Sequence, residues 1–137
     1  MGVALIGEVL YERTKRLGIQ AIGGLEIGAI PLATAAVYAY QNHGKTLEGF
    51  VVRNQAKKHG TKKIVEGNLQ PGWKLAIVDD VATKGGSIMR AVDAVRRAEC
   101  EPVLITVLVD GLEGAKDLFA SEGISFEPIF TINDFKI

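Results

Sequence analysis

Apolar positions along the chain follow two periods, one typical of helices and one typical of buried strands. Near the start they recur every three or four residues from Val3 to Leu17 and stop at Gly18, which predicts a helix that ends there. Later apolar runs are short, continuous and bounded by glycine or charged residues, which predicts strands buried on both faces. These predicted strands cover residues 19–22, 47–53, 75–78, 102–109 and 127–131.

Helical spacing occupies most of the segments between these strands. Residues 32–40 are rich in alanine and follow Pro31, a residue that the first turn of a helix tolerates. Residues 88–98 and 114–122 predict two further helices. Because strands and helices alternate, we expect an α/β fold with a parallel sheet and helices on both of its faces. A length of 137 residues fits a single domain.

The most informative stretch begins at the third predicted strand. Residues 75–78 are apolar, Asp79 and Asp80 follow, and Ser87 opens a predicted amphipathic helix. The loop therefore lies at the carboxyl end of a strand and the amino end of a helix, where open α/β sheets bind ligands. We call Asp79 and Asp80 the acidic pair. We call the residues that lie between Val81 and the predicted helix, together with the first helical residue, the phosphate loop: Ala82, Thr83, Lys84, Gly85, Gly86 and Ser87.

The residue types of this stretch indicate a sugar phosphate as ligand. Backbone N–H groups at a helix start bind phosphate, and glycines let the backbone approach it closely. Two carboxylates would repel the phosphate itself, so we expect them to accept hydrogen bonds from sugar hydroxyls or to lie near a bound metal ion. The alternative is a strand–turn–helix junction in which the aspartates cap and the glycines turn the chain.

A second strand–glycine–helix junction precedes this one. It consists of Gly23, Gly24, Leu25, Glu26, Ile27 and Gly28. Its GxxxxG spacing resembles the Walker motif of nucleoside triphosphatases. Ala29, however, stands where that motif requires lysine, which excludes this class of enzyme. Alone, the segment is as consistent with a purely structural role, a tight turn with close helix packing, as with a ligand-binding loop.

Residues 54–63 are almost entirely polar and contain four lysines and one histidine. Such a segment has almost no apolar surface to anchor it, so the sequence predicts a mobile loop. The alternative is an ordinary solvated surface loop. The two histidines, His43 and His59, have no metal-ligand spacing.

Overall composition excludes several functional classes. Sixteen basic residues balance 16 acidic ones, so nothing indicates a nucleic-acid or anionic-membrane partner. One cysteine, Cys100, cannot form an internal disulfide, which suits the cytoplasm. Charged residues within the first turns also argue against a secretion signal or a membrane span at the N-terminus.

The stretch VDDVATKGGS resembles the signature of type I phosphoribosyltransferases. The resemblance implies that the phosphate loop binds the 5′-phosphate of phosphoribosyl pyrophosphate (PRPP). It also implies that Asp79 and Asp80 bind the ribose hydroxyls. The segment GGLEIGAIP resembles the pyrophosphate loop of the orotate branch of this family, so we call residues 23–28 the pyrophosphate loop.

A third stretch, FVVRNQAKKHG followed by IVEG, resembles a segment characteristic of orotate phosphoribosyltransferases. The matching residues are Arg53, Lys57, His59 and Gly60, whereas Asn54 replaces a lysine and Gln55 an acid. By this resemblance, Lys57 with Arg53 and His59 would stabilise the leaving pyrophosphate. The family further implies Mg²⁺ held mainly by the oxygens of PRPP. It also implies a homodimer in which this loop enters the neighbouring subunit's site.

Two departures from the family affect recognition of the base. Orotate phosphoribosyltransferases usually have several dozen residues before the equivalent of Val3, which form a hood over the base. They also carry an arginine where this chain has Gly111, and that arginine contacts the orotate carboxylate. Two alternatives therefore stay open beside the orotate enzyme: a non-catalytic protein that binds PRPP, and a phosphoribosyltransferase for another base.

Overall fold

The computed structural model describes residues 2–54 and 64–135. Its helices are α1 (Val3–Thr14), α2 (Ala29–Asn42), α3 (Gly86–Arg97) and α4 (Ala115–Ser121), and a 3₁₀ helix covers Ile132–Phe135. Its strands are β1 (Ala21–Leu25), β2 (Glu48–Val52), β3 (Val65–Glu66), β4 (Lys74–Ala82), β5 (Glu101–Asp110), β6 (Ser125–Phe126) and β7 (Phe130–Thr131).

The strands form one sheet in the order β3-β2-β1-β4-β5-β6, and β7 also pairs with β5. All neighbours are parallel except β2 and β3, which are antiparallel. The predicted α/β class and the mainly parallel sheet are thus confirmed. Since the ends of parallel strands meet at one edge, the segments that follow β1, β4 and β5 are neighbours.

Two hydrophobic clusters cover opposite faces of the sheet. Along β4, Leu75 and Ile77 belong to one cluster and Ala76 and Val78 to the other, as the alternation of side chains along a strand requires. The first cluster contains the apolar residues of α3 and α4, and the second contains those of α1 and α2. Helices therefore lie on both faces of the sheet, as predicted.

Several element bounds differ from the prediction. Helix α1 ends at Thr14 rather than Gly18, and β1 extends to Leu25. The first half of the pyrophosphate loop is therefore strand. Strand β4 runs on through the acidic pair to Ala82, because its pairing with β5 continues to Asp110. The last predicted strand is divided into the short β6 and β7.

Two further differences concern elements near the site. Helix α3 begins at Gly86, after Gly85 in a left-handed conformation, and not at Ser87. Strand β3 was not predicted, since a two-residue strand carries too little pattern to recognise. Within residues 2–54 and 64–135, no helix is both long and apolar enough to cross a membrane.

Candidate functional site

The acidic pair lies at the carboxyl end of the central strand β4. Asp79 is 9% exposed, whereas Asp80 is open to solvent. One carboxylate oxygen of Asp79 accepts the backbone N–H of Asp80 at 2.7 Å, and one of Asp80 accepts the N–H of Val81 at 2.9 Å. Each carboxylate keeps a second oxygen for a ligand, so the pair can accept hydrogen bonds from two neighbouring hydroxyls.

Burial changes the protonation chemistry of the pair. It raises the pKa of the Asp79 carboxyl from 3.8 to about 7, and a hydrogen bond with the Asp80 side chain and the Asp80 charge add to the increase, whereas the bond from the Asp80 backbone N–H opposes it. The cause is that a carboxylate loses solvation when buried and is repelled by a second carboxylate next to it. Asp79 therefore changes its protonation state near neutral pH, and a ligand that donates hydrogen bonds would favour its ionised form.

The phosphate loop forms a small cavity beside this pair. All six of its residues line a space of about 250 Å³, together with Val81 and Ile88. Gly85 has a φ of +95°, and a Cβ atom there would lie 2.9 Å from a methyl carbon of Leu118. At Gly86, in contrast, a Cβ atom would meet no other atom within 4 Å. The sequence-predicted residues are thus brought together around an open space at the start of α3.

The segment after β5 supports the phosphate loop from behind. The N–H of Gly111 donates to the carbonyl of Ala82 at 2.8 Å, and the N–H of Ala115 donates to the carbonyl of Thr83 at 3.2 Å. Asp110 is 3% exposed and accepts the N–H of Leu112 at 2.9 Å, which stabilises this turn. Sequence reasoning missed Asp110. The feature that could have identified it is an acidic residue at the end of a continuous apolar strand.

The pyrophosphate loop directly contacts the acidic pair. A Cβ atom on Gly28 would collide with a carboxylate oxygen of Asp79 and would lie 2.7 Å from one of Asp80. Gly24 similarly lies against the carbonyl of Val78, and Gly23 against that of Phe50. The peptide bond between Glu26 and the next residue is cis. Two junctions that are distant in sequence therefore meet at one place, Gly28 against Asp79 and Asp80.

The predicted catalytic residues are only partly described. Arg53 follows β2 and donates from Nε to a carboxylate oxygen of Glu66 at 3.0 Å, with both side chains partly exposed. Lys57 and His59 lie outside the described residues, as does most of the predicted mobile loop. Of the three residues assigned to the leaving group, the structure therefore describes Arg53 alone and gives it Glu66 as a partner.

Neighbouring Asn54 contacts the pyrophosphate loop. Its backbone N–H donates to a carboxylate oxygen of Glu26 at 2.9 Å, and its side-chain amide donates to the Glu26 carbonyl at 3.2 Å. Arg90 of α3 donates to the carbonyl of Asn54 at 2.8 Å. Asn54 thus connects the pyrophosphate loop to the helix that follows the phosphate loop.

Two further features bear on ligands. In the described part of the chain, no group of three or more His, Cys, Asp or Glu side chains could hold a metal ion. A larger, apolar cavity of about 550 Å³ lies between α2 and the β2–β3 edge, and its lining includes Tyr38 and Phe50. It shares no residue with the acidic pair or either loop, so its size does not make it the site of sugar-phosphate chemistry.

Comparisons with known proteins reveal relatives that match nearly the whole chain. No protein-family model matches the chain. The orotate phosphoribosyltransferase of Bradyrhizobium diazoefficiens is 40% identical over 139 residues, which cover 98% of this chain and 74% of that protein. The orotate phosphoribosyltransferase of Mycobacterium tuberculosis, solved in complex with PRPP, superposes with a TM-score of 0.86 at 32% identity, covering 98% of this chain and 75% of that one.

A third protein is similar to this chain over the same extent. A phosphoribosyltransferase of Corynebacterium diphtheriae superposes with a TM-score of 0.87 at 37% identity, covering 98% of this chain and 77% of that one. The similarity extends over nearly the whole of this chain and about three quarters of each relative.

Proposed function

The chain belongs to the orotate phosphoribosyltransferase family, and we propose that it transfers the phosphoribosyl group of PRPP to a ring nitrogen of orotate and releases pyrophosphate. The observation that carries the proposal is the contact of Gly28 with both carboxylates of the acidic pair. It brings the expected binding groups for pyrophosphate and ribose together, beside the cavity expected to hold the 5′-phosphate.

The two ends of the sugar phosphate require opposite chemistry. In our proposal the N–H groups of the phosphate loop and the amino end of α3 bind the 5′-phosphate, because a helix start attracts anions. Asp79 and Asp80 accept hydrogen bonds from the ribose hydroxyls. A charged acceptor makes a hydrogen bond roughly twice as strong as a neutral one, and two adjacent carboxylates also fix the orientation of the ring.

The reaction itself requires little covalent chemistry from the protein. As the bond between C1′ and the pyrophosphate oxygen breaks, positive charge grows on the ribose and negative charge on the leaving group. We propose that the carboxylates of the acidic pair offset the first charge. For the second we propose backbone N–H groups of the pyrophosphate loop, with Lys57, Arg53 and His59. Arg53 would have to exchange its ion pair with Glu66 for one with pyrophosphate.

Mg²⁺ fits this arrangement as a ligand-borne ion. The described residues offer two adjacent carboxylates and no third acid, histidine or cysteine beside them, which suits a metal that keeps mostly water and phosphate oxygens. When bound, it would supply positive charge to the leaving pyrophosphate. The acidic pair would face it from the ribose side.

We further propose a homodimer in which residues 54–63 of one subunit act in the site of the other. The support is the family membership and the polar composition of that segment. Mixing a Lys57→Ala chain with an Asp79→Asn, Asp80→Asn chain should restore one working site in each heterodimer. Activity that stays absent in the mixture, or a monomer in sedimentation, contradicts the proposal.

The cytoplasm is the compartment that we propose. Cys100 is buried and unpaired, and burial raises the pKa of its thiol, so it is kept in the unreactive form. The proposed partners are PRPP, a nucleobase and a second copy of the chain, without nucleic acid or membrane.

A phosphoribosyltransferase for another base is the second candidate, and one observation favours it. A Cβ atom on Gly111 would lie 3.3 Å from a carboxylate oxygen of Glu113. An acid therefore lies beside the point at which a side chain at position 111, such as the family arginine, would begin. This candidate shares the PRPP site with the first and differs only in the base.

Formation of orotidine monophosphate from orotate and PRPP tests the proposal directly. Turnover by the wild-type chain, and its loss in Asp80→Asn, would support it. Turnover with another base from a panel, and none with orotate, would support the second candidate. Binding of PRPP without turnover of any base would show a non-catalytic binding protein.

A further inference from the structure

Glu26 is an unexpected residue in a loop that binds pyrophosphate. It lies in the middle of the pyrophosphate loop, and its carboxylate would repel an anion bound to the neighbouring N–H groups. The structure directs this side chain toward Asn54, whose backbone N–H donates to it at 2.9 Å. The Glu26 carboxylate is thus hydrogen-bonded to the segment that follows β2.

Asn54 holds the backbone of Glu26 as well. Its side-chain amide donates to the Glu26 carbonyl at 3.2 Å, while the Glu26 N–H donates to the carbonyl of Val52 at 2.8 Å. The N–H, the carbonyl and the carboxylate of Glu26 are therefore all hydrogen-bonded to Val52, the last residue of β2, or to Asn54 just after it. A loop residue fixed at three groups has little freedom to rotate its neighbouring peptide groups.

We propose that Asn54 is a positioning residue, which sets the shape of the pyrophosphate loop and keeps the Glu26 carboxylate away from bound pyrophosphate. Arg90 supports it by donating to the Asn54 carbonyl at 2.8 Å. Since Arg90 belongs to α3, which starts at the phosphate loop, the same contact fixes the two loops relative to each other. This inference rests on the proposed function, because it assumes that residues 23–28 bind pyrophosphate.

The proposal gives a physical reason for the departure of Asn54 from the family pattern. A lysine at this position could not offer a planar amide to the Glu26 carbonyl, and its ammonium group would attract the Glu26 carboxylate by charge instead. Asparagine supplies the donor without a charge. Its short side chain also has fewer rotamers to restrict than a lysine.

Asn54→Asp is the sharpest variant, because it keeps the size and the backbone of the residue. It replaces an N–H₂ donor with an oxygen that faces the Glu26 carbonyl, and it adds a negative charge beside Glu26. We expect the dissociation constant of pyrophosphate, measured by calorimetry with Mg²⁺, to rise about tenfold. Ribose 5-phosphate needs only the acidic pair and the phosphate loop, so its affinity should change less than twofold.

Arg90 and Arg97 provide a matched pair of controls. Both are exposed arginines on α3, two turns apart, and both border the small cavity that Asn54 also lines, but among the described residues only Arg90 donates a hydrogen bond to Asn54. Arg90→Gln should weaken pyrophosphate binding about threefold, whereas Arg97→Gln should leave it unchanged.

Amide hydrogen exchange of residues 26–28 in the free protein gives a readout that does not depend on activity. Exchange should be faster in Asn54→Asp than in Arg97→Gln. Unchanged exchange, or equal losses of affinity for pyrophosphate and ribose 5-phosphate, would overturn the inference. Absence of pyrophosphate binding by the wild type would overturn it too, whereas pyrophosphate binding without orotate turnover would defeat only the proposed function.

Discussion

The two strand–glycine–helix junctions resemble each other in sequence but use glycine for different physical reasons. At the β1–α2 junction, Gly28 makes room for the carboxylates of the acidic pair, and a Cβ atom would collide with one of them. At the β4–α3 junction, Gly85 provides a left-handed turn and Gly86 borders open space. The first junction is packed before any ligand binds, whereas the second is an open cavity that a ligand can fill.

Because of this difference, substitutions that lower the stability of the free protein should be distinguishable from substitutions that only weaken ligand binding. A substitution in the packed junction should change the free protein, and one at the open junction should change only the complex. The acidic pair lies between the two junctions and contributes to both.

The largest effect is expected for Asp80→Asn. Its exposed carboxylate can be neutralised without disturbing the core, but the variant would lose the charge-assisted hydrogen bond that we propose it accepts from the ribose. Such a bond contributes about 1.5–3 kcal/mol, so PRPP affinity in calorimetry should fall up to about 100-fold. Asp117→Asn, an exposed acid on α4, is the control and should bind normally. Equal binding by wild type and Asp80→Asn would remove the acidic pair from the site.

A pair of alanine substitutions tests the comparison itself. Gly28→Ala forces a methyl group against Asp79 and Asp80, an overpacking that costs about 1–3 kcal/mol, so both Tm and PRPP affinity should fall, the latter about 30-fold. Gly86→Ala has free space around its methyl group and should keep or slightly raise Tm. Its PRPP affinity should still fall, because the methyl group enters the phosphate cavity. Equal drops in Tm would refute the distinction between the two junctions.

The pH dependence of stability should reveal the cost of burying Asp79. Its pKa is raised from 3.8 to about 7, so the folded chain holds this proton more tightly than the unfolded chain does. The free energy of unfolding should therefore fall as pH rises from about 4 to about 7 and change little above that range. Asp79→Asn should remove this contribution and be more stable than the wild type at pH 8, by on the order of 2 kcal/mol.

Denaturant unfolding at pH 4.5 and pH 8 measures this effect. At the lower pH, Asp79 is protonated in the folded wild type, so the two proteins should differ little. A variant that is less stable at pH 8 would show that the carboxylate stabilises the fold. The same variant should bind PRPP weakly. Asp79 would then be a single residue that lowers stability and is needed for ligand binding.

The sequence predicted the order of the longer strands and helices and the position of both junctions along the chain, since buried strands and glycine-rich loops have strong local patterns. It placed the strand ends poorly. Polar Asp79 and Asp80 ended the apolar run, although β4 continues to Ala82 because its ladder with β5 does. Gly23 and Gly24 were assigned to a loop, although they lie in β1 and allow close approach of neighbouring backbone.

Contacts between distant residues had no local pattern to reveal them. Glu26 and Asn54 are 28 residues apart, and nothing in either segment indicates that one holds the other. The contact of Gly28 with the acidic pair is of the same kind. The roles of Lys57 and His59, which lie outside the described residues, stay predictions from the family resemblance.

The smallest expected effect concerns the base, and here the structure adds a condition to the sequence-based expectation. Orotate should be a weak substrate, because Gly111 offers no cation to its carboxylate and burying an unpaired charge is costly. A side chain at Gly111 would start 3.2 Å from the Ala82 carbonyl, a tight but tolerable approach. The Glu113 carboxylate lies 3.3 Å from the same Cβ position, so we expect the introduced guanidinium group to pair with it.

Gly111→Arg alone should therefore improve orotate use only slightly, because an arginine that is paired with Glu113 has less to offer a second carboxylate. Combined with Glu113→Gln, it should raise kcat/KM for orotate about tenfold, the value of one charge-assisted hydrogen bond at the lower end of its range. Glu113→Gln alone is the control, and the measurement is the rate of orotidine monophosphate formation at low orotate and saturating PRPP. If Gly111→Arg gives the full increase by itself, Glu113 does not compete for the arginine. If neither form improves on a wild type that already uses orotate efficiently, another residue selects the carboxylate.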